Sequence, residues 1–270
     1  MAAAQIVFIT GASSGIGKAI GLYLHSKGYT VYGTTRNPDK YAEFTTFPLV
    51  QLDVRDPESV SRSIASVLEK EGRIDVLINN AGIGITGPVE ETPIDEMKAV
   101  FETNFYGPLR IVQEVLPSMR ENRRGTIINI TSIAGYMGLP FRGAYSASKG
   151  ALSLMTEALR LETKGQGVRI CTLAPGDFAT NIAQGRYHAP VISGSPYEET
   201  YGFSLGRIDE DVEEAGDPIA VARQIEQILR SSKIKVHYPV GEFLQKISIK
   251  LKGILPSTWY EKLLAGHYKL

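Results

Sequence analysis

Short apolar runs alternate with longer segments of helical period along most of this chain, and few folds accept that order. The runs IVFIT, VLIN and IINI are apolar almost throughout. They lack the polar alternation of a strand with one wet face, so each reads as a strand covered on both sides. Strands are predicted near Gln5–Thr10, Thr30–Thr35, Leu49–Val54, Val76–Asn79, Thr126–Thr131, Arg169–Ala174 and Val236–Val240. Helices are predicted near Gly15–Lys27, Glu58–Glu71, Ile94–Asn122, Tyr145–Lys164 and Pro218–Ser231. Strand and helix alternating over this length specify an α/β fold, a parallel, doubly wound sheet of about seven strands with helices on both faces.

Composition supports one large core: 43% of the 270 residues are hydrophobic, well above the range of disordered chains. No repeat or linker composition divides the chain, so residues 1–270 are expected to form a single domain. Two segments stand outside the alternation. Residues 177–216 lack clear periodicity and are rich in Tyr, Gly, Pro and acids, as a substrate loop or lid would be. Residues 242–270 mix Leu, Ile, Trp and Tyr with five lysines. That tail is read as packing over the domain edge, with contact to a membrane surface as the alternative.

Charge and cysteine usage exclude several function classes. The formal net charge is zero, so no global field draws the chain to nucleic acid. No Cys/His cluster has zinc spacing, and no metal is expected. The lone Cys171 lies in VRICTLAP, an apolar run, and is expected to be a buried core thiol. Neither a signal peptide nor a span of membrane length is evident, which makes the expected location cytoplasmic.

The stretch TGASSGIGKAI, Thr10 to Ile20, has the composition of a phosphate cradle. A nucleoside triphosphate loop needs Gly, four residues, Gly-Lys and then a hydroxyl for magnesium. Here Ala12 and Ala19 occupy the first glycine and the hydroxyl positions. A dinucleotide site instead needs a strand, a tight glycine turn and a helix whose N-terminal amides face a pyrophosphate. QIVFIT, GASSGIG and KAIGLYLHSKG supply these in order, the Rossmann arrangement, with glycines at Gly11, Gly15 and Gly17.

At this spacing the chain resembles the short-chain dehydrogenase/reductase family, whose first turn reads T-G-x-x-x-G-x-G. Further motifs follow in the family's order: LDV at Leu52–Val54, NNAG at Asn79–Gly82, ETNFYG with Asn104, INITS ending in Ser132, YSASK from Tyr145 to Lys149, and APGDFAT from Ala174 to Thr180. The resemblance implies a nicotinamide cofactor held by Gly11, Ser13, Ser14, Gly15, Ile16 and Gly17, by Asp53 and Val54 beside the adenine, and by Asn80, Ala81 and Gly82. Pro175, Gly176 and Thr180 would lie against the nicotinamide, with Thr180 on its carboxamide. Ser132 would hydrogen-bond the substrate oxygen, and Tyr145 would act as general acid or base. Lys149 would tune Tyr145 and bind the ribose, while Asn104 would hold a water in a proton relay.

The chemistry of the pair is physically sensible. A phenol titrates near ~10, too high for easy proton exchange at neutral pH. A lysine four residues later shares its helix face, and its charge favours the phenolate. The same spacing recurs at Tyr23 and Lys27, just after the glycine turn, where packing and a solvated helix end are the expected roles. Cofactor choice follows from the end of the second strand. An acid there would accept from a ribose 2′-hydroxyl, but the residues are Thr34, Thr35 and Arg36. A guanidinium suits a 2′-phosphate, so the cofactor is expected to be NADP(H).

The expected activity is therefore hydride transfer between NADP(H) and a small-molecule carbonyl or secondary alcohol. The alternative is a non-catalytic, NADP-sensing interaction protein on the same fold. The segment Ile133–Phe141, with Phe178, Tyr187, His188, Tyr197, Tyr201 and Phe203, suggests an apolar substrate wall suited to a bulky lipophilic molecule. The helix YSASKGALSLMTEALRLE carries more apolar residues than one buried stripe needs, which points to a homodimer or homotetramer.

Overall fold

A computed structural model describes residues 4–176, 178, 185–213 and 216–270. Seven strands form one sheet: β1 (Ile6–Ile9), β2 (Thr30–Thr35), β3 (Leu49–Gln51), β4 (Val76–Asn79), β6 (Gly125–Ile130), β7 (Val168–Pro175) and β9 (His237–Val240). Their order is β3-β2-β1-β4-β6-β7-β9, and every pairing is parallel. The chain winds outward one way from β1 and the other way from β4. A crevice therefore opens at the carboxyl ends of those two strands, where sheets of this kind bind ligands.

Alternate residues of each strand feed opposite faces. Val7 and Ile9 join the core under α1 (Gly15–Ser26) and α7 (Ile219–Arg230). Ile6 and Phe8 join the core under α2 (Pro57–Glu71) and α4 (Gly107–Glu121). Burial on both sides explains why β1 has no polar alternation. Cys171 sits in the first of these cores, fully buried, and burial pushes its thiol up to about 12.

The structure departs from the sequence reading in three places. The helix expected over Ile94–Asn122 is interrupted: α3 (Ile94–Phe101) runs into a π turn at Glu102–Tyr106 and then into α4. Pro108 has no N–H, so an α-helical bond to the Asn104 carbonyl cannot form, and the turn absorbs the mismatch.

The segment 177–216 is not structureless. Its described part pairs β8 (Tyr187–His188) with β5 (Ile85–Thr86) and then forms α6 (Glu198–Glu213). Glu198 and Glu199 favour that helix start electrostatically. Among its described side chains Tyr201 and Ser204 are the buried anchors, too few to mark a periodic stripe.

The tail folds as two helices, α8 (Phe243–Ile254) and α9 (Ser257–Tyr268). Glu242 and Gln245 form a capping box at the start of α8, and Pro256 separates the pair. Among the described residues, no helix is long and apolar enough to cross a membrane.

Candidate active site

The glycine turn is built for close approach. Gly11 and Gly15 adopt φ of +65° and +52°, conformations that other residues resist. A side chain on Gly17 would overlap the Gly11 carbonyl and the Asn80 amide. Asn80 bolts the turn in place, its Nδ2 donating to the carbonyls of Thr10 at 2.9 Å and Gly11 at 3.1 Å. Thr10 Oγ1 in return accepts from the backbone N–H groups of Asn80 and Ala81, both at 2.9 Å. Ser14 begins α1 without a side-chain cap, and no acid lies in the first turn. The helix thus presents uncapped amides, which suit an anion such as a pyrophosphate.

These residues line a cleft of about 320 Å3. It gathers Gly11, Ser13, Ser14, Gly15, Ile16 and Gly17 with Arg36, Asp53, Val54, Asn80, Ala81 and Gly82. Arg36 is exposed at the rim. Sequence reasoning missed Arg55, which also lines the cleft and grips Asp53 through two bonds of 3.0 and 2.7 Å. That grip holds the Asp53 carboxyl below its ordinary range, with Arg36 adding to the effect. The signal was the LDVRD string, where Arg55 sits two residues beyond Asp53.

At the Gly82 end of the cleft two of the expected catalytic residues converge. A side chain on Gly82 would stand 3.2 Å from Asn104 Oδ1 and 3.3 Å from Lys149 Nζ. The cleft therefore reaches the place where those two groups converge. Asn104, on the π turn, is fully buried. Its Nδ2 donates to the Ile83 carbonyl and to Ser148 Oγ, and its Oδ1 accepts from the Ile83 N–H. Lys149 is 4% exposed on α5 (Gly143–Glu162), and its Nζ donates to the Ile130 carbonyl at 3.0 Å. Burial pushes the ammonium down to about 8, still above neutrality.

Ser132 follows β6 and caps the short 3-10 turn Ile133–Tyr136, accepting from the Ala134 N–H at 3.1 Å. That bond uses an oxygen lone pair and leaves its O–H proton for another acceptor. Thr131, the alternative hydroxyl, is buried and donates to the Leu173 carbonyl. Gly135 lets this turn lie against α5, because a side chain there would press on Lys149 and Gly150 at 3.0–3.1 Å. Tyr145 is half-buried in the first turn of α5, with the Arg142 guanidinium 5.7 Å from its ring centre. A buried polar ladder fixes α5 over the sheet: Asn79 Nδ2 donates to Asn129 Oδ1, and Asn129 Nδ2 to Thr156 Oγ1, both at 2.8 Å.

Pro175 ends β7 and Gly176 follows it, its N–H donating to the Val240 carbonyl at 2.7 Å. Thr180 lies outside the described residues. The Tyr23–Lys27 pair is packing: Tyr23 donates to Glu226 across to α7, with the Lys27 ammonium over its ring. The expected substrate wall is not one surface. Phe178 belongs to the core, and Tyr201 is a buried strut that donates to the Ala189 carbonyl and packs on Phe141. Phe203 lies under Lys269 of the tail. Ile133 and Met137 are covered by Tyr260 of α9, so the tail forms part of the wall's support.

Residues 5–190 match the family model for short chain dehydrogenases. The chain is 36% identical to the 3-ketodihydrosphingosine reductase of Bacteroides thetaiotaomicron, over 98% of each chain. Its fold is similar to a short-chain dehydrogenase from Streptomyces avermitilis, with a TM-score of 0.80, 32% identity and coverage of 98% and 99%. It is also similar to ElxO with NADP bound, with a TM-score of 0.74, 28% identity and coverage of 88% and 97%.

Proposed function

The chain belongs to the short-chain dehydrogenase family, and on that premise we propose that it is an NADP(H)-dependent oxidoreductase acting on a bulky, lipophilic ketone or secondary alcohol. The observation that carries this reading is the cleft running from Arg36 at one end to Gly82 at the other, with the buried Asn104 and Lys149 side chains lying close behind Gly82.

The uncapped amides of α1 would hold the pyrophosphate, and Arg36 would fork onto a 2′-phosphate that a carboxylate there would repel. Asp53 and Val54 would flank the adenine, while Pro175, Gly176 and Thr180 would face the nicotinamide. When bound, the nicotinamide supplies the hydride that reaches the carbonyl carbon, or accepts it in the reverse direction. Tyr145 gives its phenolic proton to the carbonyl oxygen, and Ser132 donates a hydrogen bond to the same oxygen. Lys149 uses one N–H on Ile130 and keeps two, and its charge favours the phenolate left on Tyr145. Both amide hydrogens of the Asn104 side chain are committed to protein partners, so a relay water at Asn104 would be held by one of its carbonyl oxygens.

The relative named for reducing 3-ketodihydrosphingosine supports a lipophilic substrate. Leu154, Met155 and Leu161 are exposed on α5, which supports assembly through that helix. Light scattering tests the assembly, and a monomer at micromolar concentration contradicts it. The activity is tested by following NADPH oxidation with a panel of long-chain ketones, using Tyr145→Phe as control. Turnover by the wild type alone is expected; no turnover with tight NADPH binding would favour a sensing protein.

A further inference from the structure

The tail helices have two distinct faces. Inward, Tyr260, Ile249, Leu251 and Leu264 pack on Ile133 and Met137, and the Tyr260 hydroxyl meets Met137 Sδ. The Lys269 ammonium lies 4.3 Å from the Phe203 ring centre and ties the end of α9 to α6. This face explains why the tail is ordered against the segment that follows Ser132.

The outward face has no such explanation. Phe243, Leu244 and Ile254 on α8 are 72%, 75% and 79% exposed, and Trp259 and Leu263 on α9 are 66% and 56% exposed. Lys246, Lys250 and Lys262 are exposed among them. At 3.6 residues per turn, Phe243 and Ile254 fall within roughly 20° of one another around α8, with Lys250 about 20° to the other side of Phe243. Trp259 and Leu263 are i,i+4 neighbours with Lys262 alongside. The charge is just as lopsided: residues 242–270 hold five lysines against Glu242 and Glu261, a side-chain balance of +3 in a chain whose total is zero.

We propose that the outward face of α8 and α9 docks the protein on an anionic lipid bilayer. Aromatic and aliphatic side chains flanked by lysines, on helices lying in the plane of the surface, are the pattern that enters the headgroup boundary. Lysine stems extend along the apolar layer while their ammonium groups meet phosphates. A protein partner fits less well, because lysine is depleted from the cores of protein–protein interfaces. A second copy fits worst: a two-fold contact sets a patch against itself, here lysines against lysines. The inward face of the same helices packs on the segment that follows Ser132, so docking would bring that end of the sheet to the phase that holds a lipophilic substrate. That last step rests on the proposed function; the docking does not.

Trp259 is the chain's single tryptophan, which makes the full-length protein its own reporter. Its emission is followed during titration with phosphatidylglycerol vesicles and with phosphatidylcholine vesicles, with flotation as a second readout. A blue shift with phosphatidylglycerol, weak with phosphatidylcholine and reversed by salt, is expected. The double variant Phe243→Ser/Leu263→Ser should partition at least about tenfold more weakly. Lys246→Glu/Lys250→Glu should lose the preference for anionic vesicles. Circular dichroism and NADPH binding check that both variants are folded. Unchanged emission and no flotation with phosphatidylglycerol overturn the proposal, as does a shift produced by self-association without lipid. NADPH-dependent turnover without lipid binding overturns the docking alone, and lipid binding without NADPH binding overturns the catalytic reading alone.

Discussion

Asn104 and Ile83 are joined by a closed pair of hydrogen bonds, Ile83 N–H to Oδ1 and Nδ2–H to the Ile83 carbonyl, each 2.9 Å long. The pair locks the π turn to the loop that leaves β4, and so sets where the inner end of the cleft lies. Replacing Asn104 by Ala strands both backbone groups in a buried site. Each stranded group costs about 1–3 kcal/mol, and at this chain length the melting temperature should fall by roughly 5–10 °C. Thermal denaturation followed by circular dichroism measures it. An unchanged melting temperature would show that the clamp contributes nothing.

Tyr145→Phe removes one oxygen and the proton it carries. Loss of a positioned general acid should lower kcat by about 10²–10⁴, with NADPH affinity unchanged because the phenol is not part of the glycine turn. Stopped-flow or steady-state kinetics with a competent ketone separates the two. A variant that keeps most of its kcat would remove Tyr145 from the chemistry.

Arg36 stands at the rim of the cleft, where its charge would meet a 2′-phosphate. Arg36→Asp should raise the KM for NADPH by about 10–100-fold, the worth of a charge-assisted hydrogen bond, and change that for NADH far less. Parallel kinetics with both cofactors decide it. Equal effects on the two would place the 2′-phosphate elsewhere.

Lys149 sets the alkaline limit. Its ammonium loses its proton near 8 in the folded protein, against an ordinary value of 10.5, so kcat should fall as pH rises through about 8. Between those two values the unfolded chain binds more protons than the folded one, so the lysine's contribution to stability rises with pH there. Below about 8 both states are protonated, and the cost of burying the charge is constant. Lys149→Met should therefore gain roughly 3 kcal/mol near pH 7 from removing the buried charge, less about 1–3 kcal/mol for the Ile130 carbonyl it strands. The gap should shrink as pH climbs toward 10.5. Denaturant midpoints across pH test this, and a gap that widens with pH would contradict it.

Cys171 should ignore thiol reagents in the native protein and react only on unfolding, since burial pushes its thiol up to about 12 and excludes the reagent. Rapid labelling under native conditions would mean that β7 opens.

The sheet was readable because strands buried on both faces, such as β1 with Ile6, Val7, Phe8 and Ile9, must be continuously apolar. The glycine turn was readable because two of its positions need a left-handed backbone and a third leaves no room for a side chain. The π turn was legible in principle at Pro108, but the apolar periodicity on either side of it masks the shift of one residue. Arg55 was hidden because a surface arginine two residues from an acid is common and carries no periodic signal. α6 escaped because a helix anchored through Tyr201 and Ser204 shows no stripe. The Asn104 clamp depends on a side chain reaching a loop 21 residues away, a distance only the fold can close.

The most direct test of the account is an equilibrium titration of the purified protein with NADPH and with NADH, read by the fluorescence of the reduced nicotinamide. Binding of NADPH at least about tenfold tighter than NADH is expected, a difference of about 1.4 kcal/mol from contacts to the 2′-phosphate. Tighter binding of NADH would contradict the role of Arg36, and failure to bind either would contradict the cleft as a cofactor site.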